Sequence, residues 1–335
     1  MANRRLSKRQ KERIQLIQER RREKAQSKSL INNNFDDLNN LGPETTGTLV
    51  THYGSQVDIE AENGSVARCF VRANIDSLVT GDKVIWRSAE PHGVVVAREP
   101  RKSELIRPDS YGKLRPVAAN IDRIAIVFAP APSPQSNLLD RYLVAAEAQH
   151  IEPFLILNKT DILDSENDAH VQNLIQQYRF IGYQVICVSA KTGEGLDELK
   201  SFLSTHSCIF VGQSGVGKSS LLNQLVPESN NAVGALSAAS NEGTHTTTAS
   251  KLIHLSGGGI LIDSPGIREF ALTHLDPDDI ILGFRDFRPY LGHCKFRDCK
   301  HDKEEGCALL EAVANNKILA DRLNNYRQIV NSLNN

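Results

Sequence analysis

Gly212-Gln-Ser-Gly-Val-Gly-Lys-Ser219 constrains this 335-residue chain more than any other stretch. Its spacing is G-x-x-x-x-G-K-[ST], set directly after the strand-like run Cys208–Val211 and before the helical segment Ser220–Val226. In that setting glycines let backbone N–H groups close around phosphates, and the helix N-terminus adds positive potential. Gly212, Gln213, Ser214, Gly215, Val216, Gly217, Lys218, Ser219 and Ser220 are assigned to a nucleotide on this ground. Lys218 is expected to reach the β- and γ-phosphates, and the Ser219 hydroxyl to ligate Mg²⁺.

A phosphate loop of this kind needs a parallel sheet, and the surrounding chain supplies one. From about residue 118, apolar runs of strand length (Ile124–Phe128, Phe154–Leu157, Val185–Val188, Cys208–Val211, Ile260–Ile262) alternate with helical segments such as Leu138–Gln149. Such patterning predicts a parallel sheet with helices on both faces, binding its ligand at the carboxyl ends of the strands. Asn158-Lys159-Thr160-Asp161 and Ser189-Ala190-Lys191 each follow one of these runs. A carboxylate placed like Asp161 accepts hydrogen bonds from N1–H and the 2-amino group of guanine. Adenine lacks both donors, and a stranded carboxylate is costly, so the base should be guanine. Asn158 is expected at the opposite edge of the base, the Lys159 stem along its face, and a backbone N–H of Ser189–Lys191 at O6.

Asp263-Ser-Pro-Gly266 follows Ile260–Ile262 and fits the D-x-x-G element, with Asp263 holding Mg²⁺ through water and the Gly266 N–H meeting the γ-phosphate. The polar segment Asn241–Thr248 lies between. Thr247, with Thr246 in reserve, is expected to close over Mg²⁺ when a γ-phosphate is present. The order of motifs is unusual, because the base-reading loops precede the phosphate loop. A site built from loops along one sheet edge survives such a circular permutation, since only strand position matters.

With these motifs the chain resembles the circularly permuted, ribosome small-subunit-dependent GTPases of the RsgA (YjeQ/YloQ) family over most of its length. A departure from the family's pattern is Thr244, where larger polar residues are frequent. The residue after Gly266 is Ile267, which cannot orient water as the glutamine of Ras-like enzymes does. The resemblance implies a catalytic histidine in the preceding loop, and His245 is the nearest one. Gly215 stands where potassium-activated relatives place an asparagine, so no potassium dependence is indicated through it.

Cys294, Cys299, His301 and Cys307 present four soft ligands within 14 residues. Three thiolates and an imidazole suit one tetrahedral, structural Zn²⁺. His293 is the alternative imidazole, and the resemblance favours His301. Reduced cysteines in a small core remain the plainer reading. Cys69, Cys187 and Cys208 lie in strand-like runs and read as buried small hydrophobes. Leu309–Ile329 is helical in pattern and expected to pack back on the cysteine module.

The net charge of −1 conceals an asymmetry. Residues 1–28 carry 11 Lys/Arg against three Glu, a local +8, which leaves −9 for the rest. A basic arm on a mildly acidic body suits nucleic-acid phosphates, although a solvated tail would look the same. After an Asn-rich linker come five short strand patterns between Thr45 and Arg98, with an Asn63-Gly64 turn. They predict a small barrel of the OB or SH3-like kind, with OB favoured, and with Trp86 in its core rather than serving as a base-stacking platform. No run approaches 18 apolar residues, which excludes a spanning helix, and the basic N-terminus is not followed by the apolar run of a secretory signal.

The expected fold is multidomain α/β: arm and linker 1–44, OB barrel 45–100, permuted GTPase domain 118–275 and zinc-binding helical module 276–335. The resemblance implies a cytoplasmic, monomeric GTP hydrolase with Mg²⁺ and one Zn²⁺. Its partners would be GTP/GDP, the small (30S) ribosomal subunit and 16S rRNA, with no membrane. Two other readings stay open. One is an RNA- or tRNA-directed GTP switch with negligible turnover; the other is a zinc-stabilised DNA-binding protein.

Overall fold

The computed structural model describes residues 41–109, 111–163, 168–226, 250–263, 272 and 274–333. The basic arm, His245, Thr246, Thr247, Gly266 and Ile267 lie outside them.

Five strands, β1 (Glu44–His52), β2 (Gln56–Ala61), β3 (Val66–Val71), β4 (Lys83–Arg87) and β5 (Gly93–Arg98), close a barrel. The pairing runs β1–β2–β3–β5–β4 and returns to β1, with β3 and β5 parallel. Alternation makes it: Val57 and Ile59 of β2 point into the core while Asp58 and Glu60 point out. Trp86 is 5% exposed and belongs to that core, as its apolar neighbours predict.

A hairpin, β6 (Glu104–Pro108) with β7 (Leu114–Ala119), follows. Then come β8 (Arg123–Phe128), α1 (Ser136–Ala148), β9 (Glu152–Leu157), α2 (Asp168–Ile181), β10 (Val185–Cys187), α3 (Leu196–Leu203), β11 (Ser207–Val211), α4 (Lys218–Leu225), β12 (Lys251–His254) and β13 (Ile260–Asp263). These strands lie in the order β10–β9–β8–β11–β13–β12. All are parallel except β12, which turns the expected parallel sheet into a mixed one at the edge. Ile124 to Phe128 are at most 3% exposed, as a strand covered on both faces requires. At Thr51↔Lys251, β1 joins β12, so barrel and GTPase strands form one continuous eleven-stranded sheet.

The C-terminal region holds α5 (Pro277–Gly283), α6 (Ala308–Ala314) and α7 (Ala320–Asn331). The single helix expected over Leu309–Ile329 is therefore two. Asn315 and Asn316 are weak helix formers, and Asn316 adopts the left-handed conformation at φ 56°, which ends the first helix. Nor does this region pack only on its own cysteines. Ile280, Phe284, Leu323 and Tyr326 share one apolar core with Leu139 and Leu143 of α1. Among the described residues no helix is long and apolar enough to cross a membrane.

Candidate guanine-nucleotide site and metal centre

Four of the predicted motifs stand at the carboxyl ends of parallel strands of one sheet: Asn158–Asp161 after β9, Ser189–Lys191 after β10, Gly212–Ser219 after β11 and Asp263 at the end of β13. Gly212 needs its missing side chain. A Cβ there would sit 2.1 Å from the Val127 carbonyl oxygen, because the loop leaves the sheet hard against β8. Gly217, at φ 92°, caps α4, and a Cβ on it would meet the Asn158 amide at 2.3 Å.

The Asn158 side chain makes contacts that its motif does not announce. It is 1% exposed; its Nδ2 donates to the Val216 carbonyl at 2.9 Å, and its Oδ1 accepts from the Ala190 N–H at 3.1 Å. The side chain thus clasps the phosphate loop to the Ser189–Lys191 loop. The physical reason is burial: so enclosed an amide must satisfy itself on whatever backbone surrounds it. Lys159, in the left-handed conformation at φ 65°, sends its Nζ to the carbonyls of Ala131 at 2.9 Å and Gly215 at 2.7 Å. Lys159 thereby joins the proline-rich loop after β8 to the phosphate loop.

The Asp161 carboxylate is held from behind. Ser189 Oγ donates to Oδ1 at 2.6 Å, and Lys191 Nζ stands 3.5 Å from Oδ2. The serine hydrogen bond first, and the lysine charge after it, hold the Asp161 carboxyl below the usual carboxylate range. An ionised, oriented acceptor is what guanine's paired N–H donors require. Thr160 Oγ1 donates to Glu194 Oε2 at 3.2 Å, which ties the two base loops together again. Lys218 Nζ donates to the Gly212 and Gln213 carbonyls at 2.6 and 2.8 Å, inside the loop it is expected to serve. Protein atoms crowding Asp263 raise its carboxyl above the ordinary value, and a divalent cation beside it would reverse that shift.

In the C-terminal region, Cys294, Cys299, His301 and Cys307 converge, with one ligand atom from each lying within 4.8 Å of all the others. His301 Nδ1 is 3.6 Å from the sulfurs of Cys294 and Cys299 and 3.4 Å from that of Cys307. Ligand distances of about 2.3 Å for sulfur and about 2.0 Å for nitrogen put tetrahedral S···N edges at roughly 3.5 Å. The donor set and its spacing therefore fit a tetrahedral cation. The gathered imidazole is His301; His293 is not part of the cluster. Arg327 of α7 braces the loop, donating Nη2 to the His301 carbonyl at 2.6 Å and to the Asp302 carbonyl at 2.7 Å.

A phosphate loop on the central strand, a guanine-type carboxylate oriented by Ser189, and base-type loops that precede the phosphate loop in sequence define a circularly permuted GTPase. The RsgA GTPase family model matches residues 98–273, more than half of the chain. The chain is 52% identical, over 99% of its length and 98% of the relative's, to a Pseudomonas aeruginosa protein named small ribosomal subunit biogenesis GTPase RsgA. An Azotobacter vinelandii protein of the same name is 51% identical over equal shares. The crystal structure of YjeQ from Thermotoga maritima superposes with a TM-score of 0.72 at 29% identity, over 87% of this chain and 99% of that one. The structure of YloQ, described as a circularly permuted GTPase, gives 0.69 at 29%, over 87% and 96%. This chain belongs to the RsgA GTPase family.

Sequence reasoning missed the Lys159–Ala131 contact, the Thr160–Glu194 bond and the Arg327 brace. Lys159 and Thr160 belong to the base motif, but nothing in it names Ala131 or Glu194 as their partners, and Arg327 belongs to no motif. Each contact joins residues whose proximity only the fold establishes.

Proposed function

We propose that this protein hydrolyses GTP to GDP and phosphate while bound to the small ribosomal subunit, and that hydrolysis drives its release late in subunit maturation. The observation that carries this reading is the near end-to-end likeness to relatives named for small-subunit biogenesis, in a chain whose base loops present Asp161 as an ionised acceptor. Asn158–Asp161, Ser189–Lys191, Gly212–Ser220, Asp263 and Gly266 bind the nucleotide. Ser219, Asp263 and Thr247 are assigned to Mg²⁺, whose chemistry is to neutralise charge developing on the β- and γ-phosphates. His245 orients the attacking water, a task Ile267 cannot perform. Cys294, Cys299, His301 and Cys307 hold one structural Zn²⁺; with all four positions taken by protein, the site fixes a shape and does no chemistry. The arm of residues 1–28 reaches 16S rRNA phosphates. In this reading the protein works as a cytoplasmic monomer.

The test is the GTPase rate with and without purified small subunits. A strong rise supports the proposal. An unchanged rate alongside tight GTP binding would favour the non-hydrolysing RNA-directed switch instead.

A further inference from the structure

Arg322 of α7 and Asp140 of α1 form a charge pair inside the protein that hydrolysis does not use. They are 4% and 0% exposed. Arg322 Nη1 donates to Asp140 Oδ1, while its Nη2 and Nε reach the two oxygens of Asp286 at 2.6 and 3.2 Å. Asp140 also accepts from the Tyr178 hydroxyl at 2.8 Å and from Asn325 Nδ2 at 2.7 Å, and that same amide lies 3.1 Å from Ser136 Oγ. A buried ion pair is seldom more stabilising than apolar residues of the same volume. Its planar geometry does something apolar packing does not: with two nitrogens forked on Asp286, after α5, and the third on Asp140, it fixes α7 against α1 and that segment together.

The position of α1 in turn sets the loop before it. Ala129-Pro-Ala-Pro-Ser-Pro-Gln135 carries proline at 130, 132 and 134. Each proline locks its φ, so the loop moves with the helix end rather than absorbing its motion. The Ala131 carbonyl of this loop accepts from Lys159 Nζ, which also reaches Gly215 of the phosphate loop. A continuous run of contacts therefore leads from α7 to Lys159, in the motif assigned to the base and bonded to the phosphate loop. At its other end α7 grips the His301 carbonyl through Arg327.

We propose that Arg322 and Asp140 are positioning residues for guanine-nucleotide binding, acting through the proline-rich loop on Lys159. The inference rests on the reading of this pocket as a GTP site.

Affinity for a fluorescent GDP analogue, measured on the full chain, tests it. Arg322→Lys keeps the charge and loses the fork. It should weaken GDP binding three- to tenfold and lower the unfolding temperature, so affinity is measured well below that temperature, where the variant is fully folded. The decisive readout is a cycle with Lys159→Met, in which Arg322→Lys should add no further loss, because the route it acts through is already cut. An unchanged affinity in folded Arg322→Lys protein, or an equal loss in both backgrounds, would overturn the proposal. If Arg322→Lys does not fold, Asp140→Asn enters the same cycle with the same expected outcomes. Failure of the unaltered protein to bind GDP would instead refute the GTP-site reading itself.

Discussion

The Thr80 hydroxyl, in the barrel, donates to the Ser250 carbonyl 3.0 Å away, at the residue that leads into β12. Together with the Thr51↔Lys251 pairing it fastens the barrel to the GTPase sheet. Beyond that point the two bodies diverge around a cleft of ≈ 380 Å³, spanned by His254 Nε2 and the Glu60 carboxylate at 2.8 Å. Thr80 is 1% exposed, so Thr80→Val keeps the shape and removes the hydrogen bond. The loss should cost about 1 kcal/mol. A lowered urea midpoint and faster amide exchange at residues 251–254 would show it; unchanged exchange there would mean that strand pairing alone holds the seam.

Guanine selectivity should reside in Asp161. Asp161→Asn places a donor against guanine's N–H groups, so GTP affinity should fall at least tenfold, or ~1.4 kcal/mol, with a gain for xanthine nucleotide. Titrations with both nucleotides check it, and undiminished GTP binding would remove Asp161 from the base site.

The same carboxylate predicts a pH profile. Its pKa is depressed, chiefly by the Ser189 hydrogen bond, so the ionised acceptor persists as pH falls and is lost only when pH drops below the usual carboxylate value, about 3.9. GDP affinity should therefore show no Asp161-dependent decline between about pH 8 and about pH 5. Ser189→Ala should move the decline upward. A fall beginning near neutrality that vanishes in Asp161→Asn would contradict the depressed value.

Zinc should be recovered with the purified protein at one equivalent. Cys299→Ala should release it and loosen residues near 290–310 while GTP binding stays largely intact. Elemental analysis and hydrogen exchange report the two effects, and protein purified without chelators yet free of zinc would count against the assignment.

His245 and the basic arm should separate in their effects. Intrinsic turnover is expected on the order of 10⁻⁴ to 10⁻² s⁻¹, as for GTPases lacking an activator. His245→Ala should keep GTP affinity and lose most of the subunit-stimulated rate. Deleting residues 1–28 should spare basal turnover, weaken subunit binding and flatten its salt dependence. Full stimulation in His245→Ala would reassign the water-orienting group.

Much of the site was legible because its chemistry is local. Eight consecutive residues make the phosphate loop, four make the base loop, the barrel strands announce themselves by alternation, and Ile124–Phe128 by an unbroken apolar run. What was not legible depends on distance in sequence. Nothing in Asn158 indicates that its amide will join Val216 to Ala190; only its enclosure between two loops decides that. Arg322 sits in an ordinary polar helix pattern, and 182 residues separate it from Asp140. The break at Asn316 was visible as two weak helix formers, but the helical period on either side concealed it.

The central place of β11, between β8 and β13, has a consequence for synthesis. Translation delivers β8, β9 and β10, with the loops assigned to the base, before the strand that carries the phosphate loop exists. Until residue 216 has emerged, Asn158 has no Val216 carbonyl to clasp, and the flank of β8 that will receive β11 stays bare. In a GTPase of ordinary order the phosphate grip comes first and waits for the base loops. Here the nascent chain acquires recognition before retention, so nucleotide capture falls late in its own manufacture.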